Sequence, residues 1–231
     1  MAVAKSEKQA FIPPEEYLRT EETSPVRREY VDGKVFAMSG ASRNHNTIAT
    51  NIHRVFHPIL KGGPCKAFLL QIKTRVLATN SFYYPDLMVA CDSYEPDSVY
   101  TEEPAFITEI LSRSTASIDK REKVIAYKQI PSLKEYMIVH QRRKRVELYR
   151  RIDKDTWEYF CFEDGEIEIH SIQNRIIKLS FDQIYEDIEF KKSQPHRVKE
   201  SGTHYSAGEA QDENNDDWHD GDECCDDEDY Y

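Results

Sequence analysis

Tyr83-Tyr84-Pro85-Asp86-Leu87-Met88-Val89-Ala90-Cys91 is an apolar run with one acid near its start, and Ala105-Phe106-Ile107-Thr108-Glu109-Ile110-Leu111 repeats that pattern. Short apolar runs bounded by polar segments mark buried strands. A carboxylate inside such a strand is costly unless it is paired or bound to a metal. Two strands that each carry one acid, entering parallel or neighbouring positions close to one end, suggest a single site for a hard cation. The next stretch, Asp119-Lys120-Arg121-Glu122-Lys123-Val124-Ile125-Ala126-Tyr127, reads as a helix. Asp119, Lys123 and Tyr127 are four apart and share one face of it.

Aspartate and glutamate oxygens suit Mg²⁺ or Mn²⁺, which also keep waters and accept phosphate oxygens. Such an ion stabilises the charge that develops when a phosphodiester is attacked and lowers the pKa of the attacking water. A plainer explanation stands beside this one. Asp86 can be a strand-edge acid, and Glu109 the partner of a buried Arg or Lys, such as Lys73 or Arg75. Lys123, projected toward metal and phosphate, can position the water or neutralise charge; helix lysines are usually solvated.

Working outward, Pro13-Pro14-Glu15-Glu16-Tyr17-Leu18 has the prolines and acids of a helix start. Asp32-Gly33, between Arg27–Val31 and Lys34–Met38, is a strong hairpin signal. Ser39-Gly40-Ala41-Ser42 is a turn that can cap a helix, and Ile48, Ile52, Val55, Phe56 and Ile59 continue at helical spacing to about Gly62-Gly63. Phe68–Val76 reads as one strand with a polar end. Beyond Pro131-Ser132, strands are expected at Glu135–Val139 and Val146–Tyr149, joined by the basic turn Gln141-Arg142-Arg143-Lys144. Trp157–Phe162 and the Ile167–Ile177 segment should extend the same sheet, and Phe181–Tyr185 should close with a short helix. No internal repeat is visible.

The formal net charge is -11, but residues 209–231 hold twelve acids and no Lys or Arg. Removing these from the 42 acids leaves 30 against 31 bases, so the body carries about +1. A near-neutral body can meet a polyanion. No stretch approaches a membrane span, and the N-terminus lacks the apolar core of a signal peptide. Cys65, Cys91 and Cys161 are scattered, with Cys224 and Cys225 in the tail. That is not a disulfide framework; Cys91 reads as a buried strand thiol, and a reducing cytoplasm is the default location. From about Lys192 apolar periodicity vanishes, so a domain over 10–190 and a disordered acidic tail over 191–231 are expected.

Three blocks together carry a family resemblance. They are Arg28–Gly33 with Met38–Ser42 and His45; Tyr84–Val89; and Glu109–Thr115 with Asp119–Lys123, Tyr127 and Pro131–Tyr136. In order and spacing, over roughly residues 10–190, the chain resembles the Uma2 family of restriction-endonuclease proteins, which is similar to the PD-(D/E)XK nuclease superfamily. The resemblance implies an α/β fold, a restriction-endonuclease-like mixed β-sheet flanked by α-helices. It implies Asp86 and Glu109 as metal ligands, the backbone carbonyl of Ile110 as a third, and Glu29 as an early acid that binds or orders the metal from the other side. One departure matters. The superfamily places a lysine two residues after the second acid, where this chain has Leu111, and Lys123 is the candidate that takes its part. His45 matches the family, as a phosphate contact or as a capping and packing residue.

The expected function is a Mg²⁺- or Mn²⁺-dependent nuclease that hydrolyses DNA, with Asp86, Glu109 and Lys123 catalytic. The rivals are a catalytically silent nucleic-acid-binding or regulatory protein on the same fold, and an interaction protein that works through its acidic tail. Arg142, Arg143, Lys144 and Arg145 are candidate phosphate contacts or simply solvated turn charge. A homodimer would suit a two-strand cut. The tail is either a solubilising appendage or a competitor for DNA acting in cis.

Overall fold

The structure, a computed structural model, describes residues 10–92, 95–111, 122–172 and 175–190. The expectations for Asp119, Lys120 and Arg121, for Cys224 and Cys225, and for the acidic tail lie outside these residues.

The chain opens with α1 (Pro14–Glu21), then the hairpin β1 (Arg28–Val31) and β2 (Lys34–Ala37). Asp32 and Gly33 turn that hairpin at φ 43° and 85°, a left-handed pair that suits the twist of two antiparallel strands. Gly33 is required twice, because an added Cβ would also lie 2.1 Å from the Phe11 ring. Next comes α2 (Arg43–Leu60), capped by Ser42, whose Oγ accepts the His45 N–H. It buries Ile48, Ile52 and Phe56, as the helical spacing requires.

The run Phe68–Val76 is not one strand. It divides into β3 (Lys66–Leu69) and β4 (Lys73–Val76), with Leu70 at φ 52° between them. The returning strand divides likewise, into β5 (Ser81–Tyr83) and β6 (Leu87–Ala90), with Pro85-Asp86 at the break. The pairs Leu69↔Leu87 and Thr74↔Tyr83 enclose residues 70–73 on one side and 84–86 on the other, so one extra residue bends the hairpin. Its two halves therefore belong to different sheets. One is β2-β1-β5-β4-β7, with β7 at Tyr100–Thr101. The other is β11-β10-β9-β8-β6-β3, built with β8 (Pro104–Leu111), β9 (Glu135–His140), β10 (Val146–Arg151) and β11 (Trp157–Phe162).

In this second sheet β8 and β9 run parallel. A parallel pair needs a crossover, and the crossover carries α3 (Val124–Lys128). Alternation along β6, β8 and β9 divides the core. Leu87, Val89, Phe106, Ile110, Met137 and Val139 pack in one cluster with α2, while Met88, Ile107, Leu111, Tyr136 and Ile138 pack in another with α3. The segment expected to extend the sheet instead forms a separate hairpin, β12 (Glu166–Ile172) and β13 (Arg175–Ser180), followed by α4 (Phe181–Ile184). Glu135 holds that hairpin down: its Oε2 accepts the His170 and Ser171 N–H groups at 2.8 Å, and its Oε1 accepts Arg150 Nε at 2.7 Å.

The cysteine expectation needs correction, because Cys65 and Cys91 form a disulfide. Lys66 pairs with Ala90 across β3 and β6, so one step further along the ladder places the two cysteines opposite each other. Among the described residues, no helix is long and apolar enough to cross a membrane.

Arg151 anchors the end of the crossover helix to the sheet. Its Nη2 donates to the carbonyls of Lys128 and Ile130 at 2.8 Å, and its Nε to that of Leu133 at 2.7 Å. The guanidinium also stacks 4.3 Å from the Trp157 ring centroid. An ammonium is a point charge and cannot span that fork of carbonyls. Arg151→Lys should therefore lower the unfolding free energy by about 1–3 kcal/mol in urea titrations. An unchanged midpoint and slope would show that α3 is held by its apolar face alone.

Candidate functional site

The two acids meet because of register. Leu87 pairs with Thr108 across β6 and β8, so the preceding residue Asp86 falls opposite the following residue Glu109. Both are buried, at 5% and 3% exposure. Asp86 Oδ2 accepts the Ile110 N–H at 2.6 Å, which pins the carboxylate to β8 where the bent hairpin leaves the sheet. From α2, His45 Nε2 lies 3.1 Å from the same oxygen. The cap that starts α2 is itself tied to the site: the Ser42 hydroxyl donates to Gln141 Oε1, and Gln141 Nε2 donates to the Leu111 carbonyl at 2.8 Å.

Glu109 faces a cation. Lys123 Nζ lies 3.2 Å from Glu109 Oε1 and 3.0 Å from Glu29 Oε1. Glu122 and Lys123 form a wider, π-helical turn immediately before α3, a local form frequent at functional sites. One turn later the Tyr127 hydroxyl donates to Glu109 Oε1 at 2.9 Å. Burial, followed by the charges of Glu109 and Glu29, pushes the Tyr127 phenol well above its ordinary pKa. It therefore stays a neutral donor. Glu29, delivered by β1, also accepts the Tyr84 N–H at 3.2 Å. Removing one partner from a buried ion pair typically costs about 3–5 kcal/mol, so this set of charges is interdependent.

Asp86, Glu109, Ile110, Lys123 and Glu29, the residues read from the sequence, thus converge where the two sheets meet. His45 joins them through Asp86. Arg142, Arg143 and Lys144 occupy the β9–β10 turn, with Arg142 and Lys144 exposed. Arg145 is buried, its Nε 3.7 Å from Glu147 Oε1, and does not belong to that exposed group. Glu109 does have a buried basic partner, as the plainer explanation expected, but it is Lys123: Lys73 Nζ sits 5.1 Å from the Tyr84 ring centroid, and Arg75 pairs with Glu102 at 3.2 Å. The sequence marks Ser42 as part of a capping turn and Tyr127 by its four-residue spacing from Lys123, but gives no sign of the link from Ser42 through Gln141 to Leu111 or of the Tyr127 bond to Glu109.

Among the described residues, no three His, Cys, Asp or Glu side chains are already gathered as a metal cage. The donor set nevertheless fits a hard cation. Mg²⁺ is commonly held by one or two carboxylates, with waters and substrate phosphate completing its shell. Asp86 and Glu109 supply two buried carboxylates on adjoining strands, and the hydrogen bonds and ion pairs named for Asp86 all use Oδ2.

Comparison with known proteins agrees with this architecture. A family model, Uma2, described as "Putative restriction endonuclease", matches residues 14–173. "Uncharacterized protein slr1290" of Synechocystis sp. (strain ATCC 27184 / PCC 6803 / Kazusa) is 30% identical over 181 residues, covering 78% of this chain and 94% of that protein. "Uncharacterized protein sll1609" of the same organism is 30% identical over 158 residues, covering 66% and 89%. The crystal structure of a "putative nuclease belonging to DUF820" from Anabaena variabilis ATCC 29413 superposes with a TM-score of 0.61 at 18% identity, covering 75% of this chain and 97% of that one. At that identity the likeness is one of fold, which it shares in its mixed sheets and flanking helices. The chain belongs to the Uma2 family.

Proposed function

We propose that this chain is a Mg²⁺- or Mn²⁺-dependent nuclease that hydrolyses phosphodiester bonds in DNA. The observation that carries this reading is the burial of Asp86 and Glu109 where β6 begins to pair with β8, with a lysine ammonium 3.2 Å from Glu109. Asp86, Glu109 and the Ile110 carbonyl would hold the cation. When bound, it supplies Lewis-acid stabilisation of the charge that grows on the phosphoryl oxygens.

The chain's own groups do the rest. His45 and the Ile110 N–H fix the orientation of Asp86, and Tyr127 fixes that of Glu109. Lys123 presents a positive charge to the attacking water and the phosphate, and Glu29 holds that ammonium in place. Water oxygen bonds to phosphorus as the phosphorus–oxygen ester bond breaks; the proton lost by the water passes to solvent, and the departing ester oxygen takes a proton from solvent. Arg142, Arg143 and Lys144 neutralise neighbouring phosphates, a contribution that weakens with salt.

Asp86→Asn should abolish Mg²⁺-dependent cleavage of plasmid DNA and leave the fold intact, because an amide oxygen can still accept the Ile110 N–H. Undiminished cleavage by the purified variant would remove Asp86 from the ligand set. Glu109→Gln should also abolish cleavage, together with the rise in melting temperature that Mg²⁺ gives the wild type. If Mg²⁺ does not move the wild-type melting temperature, and the variant is merely less stable, Glu109 is only an ion-pair partner and the fold is a silent one. Lys123→Ala should lower the rate on the order of 10²-fold or more while metal binding persists in calorimetry. Full activity in that variant would exclude the lysine from the reaction.

A further inference from the structure

Lys123 occupies a place that the proposed metal also needs. Its ammonium shares Oε1 of Glu109 with the Tyr127 hydroxyl, and its other anchor is Oε1 of Glu29. The lysine is 4% exposed and Glu109 3%, while the Glu29 side chain is more open at 15%. Resting on the reading of Glu109 as a ligand, we propose that Lys123 is a built-in cation that holds Glu109 when metal is absent and yields it when metal binds, retreating onto Glu29.

The argument is electrostatic. Without the ammonium, Glu29 and Glu109 would keep the neutral Tyr84 N–H and Tyr127 hydroxyl as donors but lose the charge that offsets their desolvation. The lysine removes that penalty and keeps the site preformed. A divalent cation beside the same carboxylate would be repelled by the ammonium, and that repulsion is weakly screened in a buried setting. The two cations therefore compete for Glu109. Tyr127 does not compete, because its donor is neutral, and it can keep Glu109 oriented in either state. Glu29 gives the displaced ammonium a second place, still close to the carboxylates. Among the described residues, the exchange leaves the lysine paired with Glu29 and released from Glu109, and so more available to a phosphate. Metal affinity is then set by the cost of moving a lysine as well as by the ligands.

The test is Mn²⁺ titration by calorimetry of the full chain as wild type, Lys123→Gln, Glu29→Gln and the double variant, without DNA. The glutamine amide at position 123 is a polar donor one atom shorter than the lysine and carries no charge. Lys123→Gln should bind Mn²⁺ on the order of tenfold more tightly than wild type. Glu29→Gln should bind more weakly, because the ammonium loses its alternative place. In the double variant the Glu29 change should have little further effect, a coupling that a double-mutant cycle isolates. Equal weakening by Glu29→Gln in both backgrounds would make Glu29 a direct ligand and overturn its part in the exchange. Unchanged or weaker binding by Lys123→Gln would overturn the inference and leave the metal reading standing. No Mn²⁺ binding by any of the four proteins would overturn both. Should Lys123→Gln fail to fold, Lys123→Met takes its place in the double-mutant cycle, and unchanged or tighter binding by Glu29→Gln contradicts the exchange in either case.

Discussion

The ion pairing around Lys123 is the constraint on which the rest of this structure depends. A buried ammonium and the carboxylates around it are tolerable only together, since each alone carries a desolvation cost of several kcal/mol. Glu29 arrives on β1, Glu109 on β8 and Lys123 on the crossover between β8 and β9. Any error in the hairpin turn, the strand register or the docking of α3 separates charges that have no water to turn to. The site therefore acts as a check on the fold, and the fold has local devices that meet it. The positive-φ turn at Asp32-Gly33 fixes β1, the one-residue bulge opposite Asp86 bends the long hairpin, and Arg151 ties down the carbonyls that end α3.

That bend also explains why an acid can sit here. Inside an uninterrupted ladder the Asp86 carboxylate would stand in an apolar face between neighbouring strands. Where β5 passes into β6, the chain leaves one sheet for the other, and Pro85 has no N–H to offer a ladder. The carboxylate then reaches the Ile110 N–H and His45. Burial and function meet at the one point where the sheet is already broken.

Much of this was legible in the sequence because it is local. Apolar runs around Asp86 and Glu109 gave two strands, helical spacing from Ile48 to Ile59 gave α2, and Asp32-Gly33 gave a hairpin. What was not legible depends on register or on backbone conformation without a residue signature. Leu70 adopts positive φ although leucine gives no sign of it, so Phe68–Val76 looked continuous. The Cys65–Cys91 bond follows from the β3–β6 register and from nothing in the spacing of the cysteines. Ile167–Ile177 alternates as a sheet strand would, yet it is bound to Glu135 through backbone N–H groups as a separate hairpin. Candidate ligands could be named from residue type, but the convergence of Lys123 and Tyr127 on Glu109 needed the crossover geometry.

The position of the lysine can be argued from the packing. In the pattern that the chain resembles, the lysine stands two residues after the acid, on the same strand and hence the same face. Here that residue is Leu111, which is 6% exposed and packs in the cluster of Met88, Ile107, Tyr127, Tyr136 and Ile138. A lysine there would have to bring an ammonium through an apolar layer that already closes against α3. Lys123 comes instead from the turn that begins α3, and its amine lies 3.2 Å from Glu109 Oε1. A charge carried on a long side chain from outside the strand can leave Glu109 by rotating its own bonds, as the proposed exchange requires, with the strand backbone unchanged.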